Sequence, residues 1–347
     1  MAIPLKLASD WDKFMTDWCM NNEPEQDREA VERALNTVAQ LWPDQLDRVI
    51  TGPGRGLAMI APLIHLGLLL EECADIPGFD RLLRRAQGGE RSAVSEMRFA
   101  ARAKARDLPV ELEPPLNGKV LDTLLTFEGE QIYCEVIAPE TSAAMKQAHK
   151  LAGELATAIA DRCPGKRVEV LIKGDLDETV CAKLLEVTPR LTLSGEIIDV
   201  DNLALASIHP SATDGIASTI PRGDAFAILS VAHLRQDETS KAVAIVHVPT
   251  SDERIKQLLY GESHHFTRKQ MNILAIDVTQ VPGGIKGWLP RIERCLQPTQ
   301  NRRFGAVLLF MTTLEGEKAS HTQTWRAVIN PHAYRLIPAG LISVLIN

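Results

Sequence analysis

The sequence predicts an α/β fold: a mixed β-sheet flanked by helices, preceded by an N-terminal helical segment and followed by a further C-terminal α/β region. Three observations predict it. Apolar residues recur at three- and four-residue steps early in the chain, as at Val31, Leu35, Val38 and Leu41, which gives one apolar stripe along a helix. The stretch KVLDTLLTFEGEQIYCEVIA at 119–138 carries β-branched and aromatic residues on both sides of the polar break Glu128-Gly129-Glu130, the pattern of two strands and a tight turn. From about residue 190, near-continuous apolar runs such as AVLLF alternate with helix-like segments, and such runs belong to strands covered on both faces. A chain of 347 residues holds about two domains of ~150 residues, and its elements divide into 1–77, 78–210 and 211–347.

Hydrophobic content of 45% and charged content of 24% are ordinary for a globular protein and do not suggest disorder. Net charge is −7, which argues against a protein that coats nucleic acid nonspecifically but leaves room for a local basic surface. No charged start followed by an apolar run and a cleavage site marks a secretory signal. The longest apolar run, Leu57 to Leu70, is 14 residues long and holds Pro62 and His65, short of the ~20 needed to span a bilayer, so a buried helix is expected and no membrane. Six scattered cysteines without a CxxC pair fit reduced thiols in a cytoplasmic protein.

In chain order, Trp11, Phe14 and Trp18 form a first helical stripe, and Val31 to Leu41 a second. TGPGRG at 51–56 reads as a turn between helices or as amides offered to phosphate; it lacks the Gly-Lys-Ser/Thr ending of a P-loop. Phe79 to Arg106 holds eight basic residues against three acids, locally +5. Arg91, Arg98 and Arg102 fall near one helical face, where they would follow a phosphate backbone or simply form a solvated face. Glu96 lies in the middle of the same helix, beyond the reach of dipole capping, and is either a surface residue or part of a site.

The hairpin carries acid inside apolar strands. Asp122 sits among Val120, Leu121, Leu124 and Leu125, and Glu135 between Cys134 and Val136. A buried carboxylate without a partner neutralises, finds a cation or coordinates a metal, and two acids on neighbouring strands suggest one shared partner. A partly exposed sheet face is the other reading for either acid taken alone.

Helix with Glu96, strand with Asp122, next strand with Glu135: this order resembles the catalytic core of the PD-(D/E)xK nuclease-like, or restriction-endonuclease-like, superfamily, over roughly residues 78 to 175. The resemblance implies that Asp122 and Glu135 bind Mg²⁺ or Mn²⁺ and that Glu96 assists. It also implies a lysine two residues after the second acid, where Ile137 stands, and a proline where Leu121 stands. Period-two alternation points residue 137 to the same face as Glu135, and an isoleucine there neither orients water nor supports charge. Some members are similar in drawing a lysine from a nearby helix, for which Lys146 and Lys150 in ETSAAMKQAHKLAGE are the candidates.

Beyond the hairpin, Glu140 to Cys163 reads as a helix ended by Pro164-Gly165, then RVEVLIKG as a strand of the same core and DETVCAKLLEV as a helix. The loop HPSATDGIASTIPRGD is a candidate boundary or lid. His264-His265 reads as a surface loop that lacks a third metal ligand at useful spacing. Asp277, ending the strand MNILAIDV, suits either turn chemistry or a functional strand end. Two functions follow: a divalent-metal-dependent nuclease, or a catalytically degenerate relative that binds nucleic acid or a protein partner, homo-oligomers included. A purely structural α/β interaction protein is the third class.

Overall fold

Four helices lead into the first sheet of the computed structural model, which describes residues 28–46, 60–116, 119–188, 197–209, 226–233, 242–249, 254–281, 283–296, 301–315 and 320–347. They are α1 (Arg28–Leu41), α2 (Ile60–Cys73), α3 (Phe79–Gln87) and α4 (Arg91–Lys104). Val31, Leu35, Val38, Ile64, Leu70, Leu82 and Met97 close one apolar core between them, so the predicted stripe at 31–41 is a packing face. Gly67 of α2 lies so near α1 that an added Cβ would stand 2.1 Å from the Ala34 carbonyl oxygen, and only glycine permits that approach. Among the described residues no helix is long and apolar enough to cross a membrane. The Trp11–Trp18 stripe, TGPGRG at 51–56 and residues 210–224 of the Ser/Gly/Pro loop lie outside the described residues.

After α4 come β1 (Val110–Leu112), β2 (Pro115–Leu116), β3 (Lys119–Val120), β4 (Thr123–Phe127) and β5 (Glu130–Ile137). The predicted hairpin is β4 and β5, antiparallel, with Phe127 opposite Glu130. Its two loop residues, Glu128 at φ 51° and Gly129 at φ 83°, both adopt the left-handed conformation of the turn whose twist matches a hairpin.

The chain then builds α5 (Ala143–Arg162), β6 (Arg167–Ile172), α6 (Glu178–Val187), β7 (Ile198–Val200), β8 (Ala204–His209), β9 (Phe226–His233) and β10 (Ala242–Pro249). These strands form a five-stranded sheet in the order β7-β8-β6-β10-β9. One face of it, through Val168, Val170, Ala244 and Val246, packs with Leu155, Ala156 and Ile159 of α5. The alternate positions on β6 and β10 hold a buried pair, His247 Nε2 at 2.7 Å from Glu169 Oε1.

Last come α7 (Arg254–Glu262), β11 (Met271–Asp277), α8 (Gly284–Cys295), β12 (Ala306–Glu315), β13 (Ser320–Ile329) and α9 (Ala339–Ile346). β11 returns to lie parallel beside β5, and the first sheet reads β1-β4-β5-β11-β12-β13, six strands of mixed direction. Its core joins Phe99 of α4 and Leu341 and Leu345 of α9 to Leu125, Cys134, Val136, Ile273, Leu308 and Phe310. The protein is thus α/β, with mixed sheets flanked by helices and an N-terminal helical segment.

Two compact units result, and each draws on separated stretches of chain. One comprises 1–139, 258–279 and 292–347, the other 140–257 and 280–291, so they interleave the segments 1–77, 78–210 and 211–347. One expectation is corrected here. RVEVLIKG does not continue the hairpin's sheet: β6 pairs with β8 and β10 instead, and β11 takes the place beside β5. A parallel neighbour can be joined by a crossover of about a dozen residues or many more, so an apolar β-branched run does not say which sheet receives it.

Candidate active site

The hairpin register decides where the acids go. Thr123 is opposite Cys134, so one residue earlier Asp122 faces Glu135 across the strands. Asp122 stands just outside β4, and its side chain takes over a ladder bond: Oδ2 accepts from the Val136 N–H at 2.7 Å. Its own carbonyl accepts from the Glu113 N–H at 2.9 Å. So anchored, the Asp122 carboxyl is hydrogen-bonded to that of Glu135. Both acids are on the same side of the sheet.

Two carboxyl groups bond each other only if they share a proton. Burial pushes the Asp122 carboxyl up, against the pull of the Val136 N–H and the bond from Glu135. Burial, then the charge of Asp122 and their shared bond, then Glu262 and Glu96, push Glu135 up to about 10. The shared proton therefore sits on Glu135, and Asp122 accepts it.

Helix α4 brings in Glu96, wholly buried rather than on the surface. Burial and the nearby charge of Asp122 push it up to about 8, against Arg85. Arg85 grips it with two nitrogens, Nη1 at 2.9 Å from Oε2 and Nη2 at 2.9 Å from Oε1. A bidentate guanidinium favours the ionised carboxylate, so Arg85 opposes the rise that burial and Asp122 cause at Glu96. Arg85 also bonds Glu113 Oε1 at 3.0 Å and pairs with Glu90.

A second basic side chain comes from far along the chain. His265 Nδ1 lies 3.6 Å from Glu135 Oε1 and 3.3 Å from Glu262 Oε2, while the ring remains half exposed. Burial raises the Glu262 carboxyl and His265 lowers it. As expected, His264 and His265 are both exposed in the loop after α7; His265 in addition meets the two carboxyl groups, and His264 packs edge-on against Tyr260.

Asp277 is neither a turn residue alone nor a member of the acid cluster. Its Oδ2 accepts from Ser95 Oγ at 2.7 Å and from Arg98 Nη1 at 3.0 Å, and its Oδ1 from the Thr279 N–H at 2.9 Å. These bonds tie β11 to α4 on both sides of Glu96. The basic stripe expected to follow phosphate is accordingly largely committed inside the fold. Arg98 pairs with Asp277, and Arg102 bonds the Leu345 carbonyl and lies 5.8 Å from the Trp325 ring centre; Arg91 is the exposed member.

Lys146 and Lys150 belong to the other compact unit, where both are exposed and pair with Glu140 at 3.4 Å and Glu154 at 3.8 Å. The basic groups that the structure gathers at the acids are Arg85 and His265. Neither was signalled by sequence: Arg85 is one of eight basic residues in its stretch, and His265 is 130 positions from Glu135.

Among the described residues no three His, Cys, Asp or Glu side chains are arranged to hold a metal ion. The Asp122–Glu135 pair is nonetheless the donor set that Mg²⁺ uses, one or two carboxylates with waters completing the shell. Comparison of the chain with family models, curated proteins and solved structures finds no match.

Proposed function

We propose that the protein is a divalent-metal-dependent, nuclease-like hydrolase acting on the phosphodiester backbone of nucleic acid, with Asp122 and Glu135 holding Mg²⁺ or Mn²⁺. The observation that carries this reading is geometric: half-buried Asp122 and buried Glu135 face each other across the hairpin, where a doubly charged ion would satisfy both. Such an ion, when bound, supplies positive charge for phosphate oxygens and lowers the pKa of water.

The chain's own residues do the rest. Arg85 fixes the Glu96 carboxyl beside Asp122 and favours its charged form. His265, next to Glu135, has an imidazole that can give or take a proton there, work for which Ile137 has no chemistry. Lys146 and Lys150 are not needed for it. The described cysteines are free thiols, which supports a cytoplasmic setting.

The test is cleavage of single- and double-stranded DNA and RNA with Mg²⁺ or Mn²⁺. Asp122→Ala and Glu135→Ala are each expected to lower the rate about 100-fold or more, and activity indifferent to both substitutions contradicts the reading. Ile137 favours a second one, a nuclease-like fold that binds nucleic acid without cutting it; wild type would then bind but show no metal-dependent cleavage.

A further inference from the structure

Three neighbouring segments of the unit that holds the acids, 263–272, 301–307 and 329–337, contain five Arg or Lys residues and no Asp or Glu, in a chain of net charge −7. We infer that Arg268, Lys269, Arg302, Arg303 and Arg335, grouped around the exposed Tyr334, form a docking surface for single-stranded nucleic acid that leads to the Glu135 site. The role of that site rests on the proposed function; the binding does not.

The group is built by the fold. Tyr334 donates its N–H to the Arg302 carbonyl at 2.8 Å, and Arg302 Nε donates to the His332 carbonyl at 2.9 Å. Gly305 lets this segment close on the start of β12, because an added Cβ would stand 2.9 Å from the Arg335 carbonyl oxygen. Arg303 Nη1 donates to the Ser263 carbonyl at 2.9 Å, which ties the loop after α7 to the same place. The guanidinium carbons of Arg302 and Arg268 consequently lie 4.5 and 5.1 Å from the centre of the Tyr334 ring, which is 38% exposed.

Two like charges held over one ring at the surface suit an anion, and the partners that Arg302 and Arg303 bond are uncharged carbonyls. Phosphate answers the charge. The ring and the guanidinium planes answer an unpaired base, which stacks on either. A duplex hides its bases in its own stack and has little use for such a platform. Continuity with the acids comes from the loop itself: His265, at Glu135, and Arg268, at Tyr334, are three residues apart, at most ~11 Å along an extended chain.

The experiment is fluorescence anisotropy of a labelled 12-nucleotide oligo-dT with the full chain in EDTA, over a salt series. Tyr334→Ala is expected to weaken binding about 5- to 100-fold, and Tyr334→Phe to retain it. Arg268→Ala and Arg302→Ala are each expected to flatten the slope of log affinity against log salt by about 0.7. Absence of binding by the wild type, Tyr334→Ala binding like wild type, or a duplex binding as tightly as the single strand overturns the inference. Because EDTA removes metal, binding without metal-dependent cleavage upholds this surface and removes only the hydrolase reading.

Discussion

Glu135 carries a proton at neutral pH because the folded protein gives its charge nowhere to go. Its folded pKa is raised above the ordinary 4.5, so the folded state binds more protons than the unfolded between that value and about 10. The stability this group contributes is full below about 4.5 and is lost as pH rises towards 10, with Glu96, raised to about 8, acting in the same direction. Thermal denaturation of the metal-free protein between pH 5 and 9 is therefore expected to show a falling melting temperature, and Glu135→Gln to flatten the decline; a profile identical in wild type and variant counts against the shared proton. Arg85 has the opposite task. Arg85→Ala leaves Glu96 buried without its guanidinium, while Glu113 keeps Arg81, a loss of about 3–5 kcal/mol by chemical denaturation, and Glu96→Gln placed in the same chain is expected to recover part of it. Asp122 and Glu135 were legible in the sequence because acids among Val, Leu and Cys contradict their surroundings. Arg85 and His265 contradict nothing local, and only the fold shows whom they meet.

At the scale of elements, the site depends on how α4 is held against the sheet. Asp277 grips Ser95 and Arg98 on either side of Glu96, so Asp277→Ala is expected to cost about 2–4 kcal/mol and, under the proposed function, to lower cleavage without touching Asp122 or Glu135. Unchanged stability in denaturant titration would show that the tie is idle. The hairpin was readable down to its turn, since β-branched runs around Glu-Gly leave few alternatives, and Gly129 at φ 83° makes Gly129→Ala a loss of about 1 kcal/mol. The basic face of α4 was misread for a physical reason. Spacing at seven and four places Arg91, Arg98 and Arg102 together, but it does not reveal that Asp277 and the Leu345 carbonyl wait on that side.

For the whole molecule, the two units keep separate apolar cores although the chain passes between them more than once. Leu155→Ala, in the core beneath α5, is expected to cost about 2–5 kcal/mol. Amide hydrogen exchange should then lose protection in β6, β8 and β10 while β5 and β11 keep theirs; equal loss in both sheets contradicts separate cores. Strand and helix types were legible from periodicity. Which strands share a sheet was not, because the partner of β5 is β11, and the residues between β5 and α7 build the other unit. No local pattern at 167–172 or 271–277 records that choice.

The central claim, a proton held where a divalent ion belongs, is tested most directly by calorimetric titration of Mg²⁺ or Mn²⁺ into the metal-free protein at pH 8, in buffers of different ionisation enthalpy. Wild type is expected to release about one proton per ion bound, and Glu135→Gln to release none and bind more weakly. Binding without proton release, or no binding that depends on Asp122 and Glu135, contradicts it.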